Sequence, residues 1–155
     1  MNVIERGFAP LYGIACWNVR QGYGSFLCFE FGRPRPEPDG KVFGEWHLWI
    51  YCCRWTIARN DEVVADSESS SDRIKTATDD LNGKSLILVR FDPKQVRTEF
   101  EFDSGIKLIT RPYDRASEQW HLYKPSGHVL TVRADRAYCD KPGNEAEHES
   151  DYRPI

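Results

Sequence analysis

The sequence has one methionine and few runs of alanine, leucine and glutamate, the residues that favour helices. A helical bundle is therefore excluded as the predicted fold. No stretch approaches the ~20 consecutive apolar residues that a membrane-spanning helix needs. The N-terminal residues also lack an apolar run of signal-peptide length. We therefore expect a cytoplasmic protein with no membrane partner.

Cysteines are few, and their spacing suits no shared role. Cys16, Cys28, Cys52, Cys53 and Cys139 form an odd set with two adjacent members, which is a poor disulfide framework. The sequence also lacks CxxC and HxxxH spacings and a phosphate-binding loop. We predict reduced thiols, no metal, no cofactor and no enzymatic activity.

Charge is close to balanced, with a formal net charge of −3. Bulk electrostatics therefore argue against a nucleic-acid partner. Acidic residues concentrate between positions 61 and 80, which predicts either a solvated segment or an acidic face for a basic protein partner. The candidate partner-binding residues are Asp66, Glu68, Asp72, Asp79 and Asp80.

Aromatic residues make up 13% of the chain, and they suit pleated sheets better than helices. The segment 97–102 alternates, which places Phe100 and Phe102 on one face and Glu99 and Glu101 on the other. Prolines between residues 32 and 40 predict a loop there. One helix is predicted near residues 71–82, because Ile74, Ala77, Thr78 and Leu81 fall on one face behind a serine N-cap.

Short segments recur in the same order at offsets of about 70 residues, which indicates an internal repeat. The matched segments are Leu11–Gly13 with Leu81–Gly83, Phe29–Phe31 with Phe100–Phe102, Trp46–Leu48 with Trp120–Leu122, and Thr56–Ile57 with Thr131–Val132.

The predicted fold is mostly β: two related antiparallel meanders that form a sandwich or a flattened barrel. We predict a single domain over residues 1–139 with a pseudo-repeat of about 11–66 and 81–135. Residues 140–155 are polar in composition and are predicted to form a loose C-terminal tail.

Several side chains have alternative interpretations. His47 and His121, at matched Trp-His-Leu positions, could serve a metal site or an enzyme, with Cys53 as a possible nucleophile. Glu30 and Glu101 could form an acid–base pair, although alternation predicts that both face solvent. Trp46, Trp49, Trp55 and Trp120 could line a ligand cavity inside a small barrel, or simply pack in the core.

The stretch from Leu81 to Asp135 carries a leading L-x-G, an F-x-F-x-x-G hairpin, and x-x-W-x-L followed by P-x-G. These motifs are Leu81 with Gly83, Phe100 to Gly105, Trp120 with Leu122, and Pro125 with Gly127. In this pattern the chain resembles small β-rich bacterial domains found among immunity proteins of polymorphic toxin systems. In the first half, a Pro-rich loop replaces the tight hairpin and Cys52-Cys53 replaces the Pro-Gly turn. The resemblance implies a fold and carries no catalytic residues.

The expected function is therefore a cytoplasmic protein-binding module. The resemblance implies an immunity protein that neutralises a toxin by tight, occlusive binding. Two alternatives stay open: a small-ligand-binding β-barrel, and an enzyme or metal site that uses His47 and His121.

Overall fold

Two antiparallel sheets face each other in the computed structural model, which describes all residues from 1 to 155. The helices are α1 (Val3–Phe8) and α2 (Ser71–Leu81). The strands are β1 (Cys16–Gln21), β2 (Leu27–Pro36), β3 (Val42–Ile50), β4 (Arg54–Arg59), β5 (Glu62–Asp66), β6 (Leu86–Asp92), β7 (Arg97–Phe102), β8 (Ile106–Arg111), β9 (Glu118–Tyr123), β10 (His128–Arg133), β11 (Ala137–Pro142) and β12 (Arg153–Pro154).

The larger sheet has seven strands in the order β1-β2-β3-β9-β10-β11-β12, and the smaller sheet has five in the order β5-β4-β8-β7-β6. Both sheets keep free edges, so neither closes into a barrel. The prediction of a mostly-β fold is confirmed, and of its two forms the structure is the sandwich.

The core lies between the sheets because alternate residues of each strand point inward. Phe29 of β2 stacks on Phe102 of β7 with ring centroids 5.9 Å apart. Trp55 and Trp120 are almost fully buried, and their indole N–H groups donate to the Ser25 carbonyl and the Thr98 hydroxyl at 2.6 and 3.0 Å. These two tryptophans fill the interior. For these two tryptophans the alternative of core packing is confirmed, and the sheets form no closed barrel for them to line.

The predicted helix is confirmed as α2. The Ser70 hydroxyl accepts a hydrogen bond from the Arg73 amide at its N-terminus, and the predicted apolar face is buried. Helix α1 was not predicted, because six residues show too little periodicity to recognise. An Asn2–Glu5 capping box begins it, and Ile4 and Phe8 bury its inner face.

The two halves of the chain follow the same path through the sandwich. Each half begins with a helix, adds three strands to one sheet and then crosses to the other. The strand order β1-β2-β3-β9-β10 of one sheet therefore matches the order β6-β7-β8-β4-β5 of the other. In this match β1, β2 and β3 correspond to β6, β7 and β8, while β4 and β5 correspond to β9 and β10. Gly13 and Gly83, both at positive φ, donate to carbonyls of the opposite half, Leu86 and Cys16, at 2.8 Å each.

Sheet positions correct two of the predicted repeat matches. Thr56–Ile57 lies on β4, which corresponds to β9, so it does not match Thr131–Val132 on β10. Leu48 pairs with Leu122 across β3 and β9, whereas Leu108 pairs with Ile57 across β8 and β4. Trp120 therefore corresponds to Trp55. The two Trp-His-Leu segments are not equivalent copies, because they lie on neighbouring strands of one sheet.

The segment predicted as a Pro-rich loop belongs partly to β2, which continues to Pro36. A register shift between Phe31 and Pro34 separates this end of β2 from the rest of the strand. Beyond the shift, β2 and β3 form a two-stranded arm, residues 33–43. Proline fits there because β1 has already ended, so one edge of the arm has no neighbouring strand.

The prediction of a loose tail over residues 140–155 is wrong at several points. Asp140 to Pro142 complete β11, and β12 pairs with β11 through Ala137–Pro154 and Tyr138–Arg153. The Arg133 guanidinium lies 3.8 Å from the Tyr152 ring centroid, and Lys141 binds Asp151 at 2.7 Å. Composition predicted a polar segment but could not show these ionic and backbone contacts.

Candidate functional site

A continuous row of aromatic rings crosses the outer face of the larger sheet. Neighbouring ring centroids lie 4.6 to 6.3 Å apart. We call this row the aromatic strip; its members are Tyr23, Phe26, Phe43, His47, Trp49, Tyr51, His121 and Tyr123. Tyr23 is 89% exposed and Tyr123 is 37% exposed, while Trp49 and Tyr51 are half-buried.

The repeated Trp-His-Leu segments build the centre of this strip. Because β3 and β9 are antiparallel, His47 lies opposite Tyr123 and His121 lies opposite Trp49. Alternation turns both histidines outward while Leu48 and Leu122 point into the core.

Glu30 of β2 lies beside the strip and is fully buried. Its carboxylate accepts from the Gly44 amide at 2.9 Å, from Arg20 at 2.9 Å and from His47 Nδ1 at 2.7 and 2.8 Å. Burial alone would raise the pKa of Glu30. The hydrogen bonds from His47, Gly44 and Arg20 outweigh it and lower that pKa. The carboxylate is therefore ionised at neutral pH.

This environment corrects the predicted exposure of Glu30. The β2–β3 register shift brings Gly44 over the carboxylate, and the arm then covers it. Glu101 cannot be its acid–base partner, because Glu101 lies on the outer face of the opposite sheet.

The ionised Glu30 fixes the orientation of the His47 imidazole. A carboxylate only accepts hydrogen bonds, so Nδ1 must donate its proton to Glu30. In the neutral ring, Nε2 then keeps its lone pair, and Nε2 has no hydrogen-bond partner within the protein. When the ring is neutral, His47 therefore presents a hydrogen-bond acceptor at the surface.

That acceptor faces a cleft of about 660 Å³ between the arm and the end of β9. Phe43, Trp49 and Tyr123 supply aromatic walls. The charged residues that line the cleft are Arg20, Arg35, Lys41, Lys124, Glu37 and Glu45. Its volume is within the range of small-molecule sites.

The charges at the cleft are unequally engaged. Arg20 is bound to Glu30, and Lys124 is bound to Asp140 at 2.7 Å. Glu45 accepts from the Arg33 amide at 2.7 Å. Arg35 and Lys41 form no ion pair and remain available to an anion.

His121 is not available in the same way. Its Nδ1 lies 2.8 Å from the Thr131 hydroxyl, and its Nε2 lies 3.1 Å from Glu118. The hydrogen bond from His121 lowers the pKa of Glu118 despite burial, which raises it. With both nitrogens engaged and 8% exposure, His121 supports the sheet and the strip.

Burial raises the pKa of four cysteine thiols, those of Cys16, Cys28, Cys53 and Cys139. All five cysteines are free, and burial raises the pKa of Cys53 to about 12. Burial also raises the pKa of Cys28, which lines the cleft, although the charge of Arg20 opposes that rise. A thiol with a raised pKa is protonated at neutral pH and is a poor nucleophile. No group of three or more metal-ligating side chains converges anywhere in the chain.

The five predicted acidic residues lie on β5, on the turn after it and on α2. Within that turn the Asp66 carboxylate accepts a hydrogen bond from the Glu68 amide at 2.8 Å. Asp80 binds Arg59 at 2.8 Å and Asp79 binds Lys75 at 2.9 Å. Asp72 and Asp79 are separated by roughly 10 Å along the helix axis. The structure does not gather these acids into one site, and their role in binding stays a prediction.

Sequence reasoning missed the Glu30–His47–Arg20 cluster. Alternation did indicate that Glu30 points away from the core. The missing information was the register that places Glu30 opposite His47.

No family model matches the chain, and no curated protein or solved structure is significantly similar to it. The resemblance to immunity domains therefore stays an expectation. Neither helix is long and apolar enough to cross a membrane.

Proposed function

We propose that this protein is a non-enzymatic binding module that docks a partner protein on the aromatic strip. The observation that carries this proposal is the unbroken series of rings on an outer sheet face, where solvated polar side chains would be ordinary.

Protein interfaces draw most of their binding energy from a few aromatic and arginine side chains. In the strip, ring–ring contacts already hold Trp49 and Tyr51 before any partner arrives. Preorganised side chains lose little conformational entropy on binding, so more of the contact energy becomes affinity. Arg35 and Lys41 at the edge of the strip favour a partner with acidic groups opposite them.

The resemblance to immunity domains suggests the class of partner. On that basis the partner is a toxin domain, met in the cytoplasm and neutralised when this surface covers its active site. The alternative surface is the acidic segment on β5 and α2, which would suit a basic toxin domain. The two surfaces lie on different elements, so substitutions can distinguish them.

The test begins with capture of partners from lysate of the source cells, followed by purification of the retained protein and measurement of its affinity. We expect Trp49→Ala to weaken binding at least about 30-fold, as for an interface hot spot. Tyr23→Ala should weaken it as well. Tyr113→Ala is the matched control, because Tyr113 is 52% exposed and lies outside the strip.

The acidic surface is tested in the same assay. Asp79→Lys with Asp80→Lys should leave affinity unchanged if the strip is the binding site. Slower association with a weaker salt dependence would instead assign binding to the acidic segment. Full affinity in both strip variants would refute docking on the strip.

A further inference from the structure

The cleft beside the strip has the features of a small-molecule site. Two cations without ion pairs, Arg35 and Lys41, line it, and so does His47, whose Nε2 has no partner within the protein. Phe43, Trp49 and Tyr123 give it flat apolar walls. These groups differ in chemistry, yet they border the same space.

We propose that the cleft binds a small phosphorylated ring compound, a nucleotide or a sugar phosphate. The phosphate would contact Arg35 and Lys41, the ring would lie against the aromatic walls, and a ring hydroxyl or amino group would donate to His47 Nε2. This inference concerns a ligand of the chain itself and does not depend on the protein partner.

Charge favours a multiply charged anion over a single carboxylate. Arginine presents a planar fork that matches phosphate oxygens, and lysine adds a compact second charge. Glu37 is the one lining carboxylate that is neither hydrogen-bonded nor ion-paired, and it opposes two free cations. An anion with two charges gains from both cations, which outweighs repulsion from Glu37.

A neutral His47 supplies selectivity for a ligand that carries a donor. Glu30 holds the Nδ1 proton, so a ligand that offers only acceptors would leave Nε2 without a partner. A site built to receive a hydrogen bond discriminates strongly against ligands that lack the donor. Arg20 cannot replace this interaction, because a guanidinium only donates hydrogen bonds.

The test uses the full chain, isothermal titration calorimetry and four probes: adenosine 5′-monophosphate, glucose 6-phosphate, adenosine and inorganic phosphate. We expect saturable binding of one phosphorylated ring. The probe that binds distinguishes a nucleotide from a sugar phosphate. Adenosine and inorganic phosphate should each bind about tenfold more weakly or worse, because each lacks one half of the recognised chemistry.

Variants then place the ligand. Arg35→Gln with Lys41→Gln should weaken binding at least about tenfold. Arg33→Gln, an exposed arginine on the same arm that does not line the cleft, should change nothing. His47→Gln should weaken binding of the ring compound but not of inorganic phosphate. The Arg35 and Lys41 variant alters exposed side chains only, so the test does not depend on the stability of His47→Gln.

Three outcomes would overturn the proposal. The first is no saturation by any probe up to about 10 mM, since a site of this kind should bind more tightly. The second is inorganic phosphate binding as tightly as the phosphorylated rings. The third is Arg33→Gln weakening binding as much as the Arg35 and Lys41 double variant.

Discussion

At the scale of single residues, Glu30 is the side chain whose loss should matter most. Glu30→Gln replaces a fully buried carboxylate that His47, Arg20 and Gly44 all contact. The substitution removes the buried negative charge and turns one acceptor oxygen into a donor, so the hydrogen bonds from His47, Arg20 and Gly44 cannot all be kept. We expect a loss of about 3 kcal/mol in the free energy of unfolding. Urea denaturation at neutral pH measures it.

Glu101→Gln is the matched control, because Glu101 is the corresponding position in the other half. Its side chain is 32% exposed, and its one ion pair, with Arg90, spans 3.4 Å. We expect a change of less than about 0.5 kcal/mol. Equal losses in both variants would mean that the Glu30 cluster adds nothing to stability.

The same carboxylate should make stability depend on pH. The pKa of Glu30 is lower in the folded chain than its ordinary value, so the folded state favours the ionised form. Its contribution is complete at neutral pH and is lost as pH falls through the folded-state pKa.

The difference in unfolding free energy between the wild type and Glu30→Gln should therefore narrow as pH drops below about 5. Denaturation curves across that range measure it. A difference that stays constant would show that Glu30 is not ionised in the folded protein.

At the scale of elements, the register shift in β2–β3 determines where the site forms. A side chain at position 44 would place its Cβ 2.5 Å from the Phe31 carbonyl oxygen and 2.8 Å from the Phe31 nitrogen. Backbone atoms cannot move aside as a flexible side chain can. We expect Gly44→Ala to lower the free energy of unfolding by about 2 kcal/mol or more.

Gly22→Ala is its control, since a Cβ there makes only ordinary contacts at 3.6 Å and beyond, and φ is not positive. Thermal denaturation compares the two variants. An unchanged melting temperature for Gly44→Ala would mean that the arm shifts freely without loss of stability.

Some features of the helices and strands could be predicted from the sequence, and others could not. Alternation around Phe100 and the capped face of α2 were readable because each pattern is local. The pairing of Glu30 with His47 was not readable, because the register of β2 and β3 depends on the length of their connection and on the shift between Phe31 and Pro34, which no local pattern shows. Strand β12 was not predicted either, because two residues are too few to show a pattern. Its position is fixed by pairing with β11.

At the scale of the whole molecule, each half contributes strands to both sheets, so we expect that neither half can fold without the other. Each half places strands in both sheets, and β3 pairs with β9 while β4 pairs with β8 across the halves. Fragments 1–69 and 70–155 each lack the partner strands that complete their sheets.

We expect each fragment alone to be unfolded by circular dichroism, and an equimolar mixture to recover the β-sheet signal. The control is a mixture in which one fragment carries Leu48→Asp, which puts a charge into the core and should prevent recovery. A fragment that folds alone would contradict this account.

The correspondence between halves also gives the molecule two equivalent outer faces. Around Glu101, the smaller sheet carries salt-bridged charges that include Arg90, Arg97 and Lys107. Around Glu30, the same framework carries rings, a histidine and a cleft. One scaffold thus presents two different surfaces, on the opposite outer faces of a single chain. Comparison of the two faces separates two kinds of side chain. Those found at corresponding positions on both faces serve the framework, and those found only around Glu30 belong to the aromatic strip and the cleft.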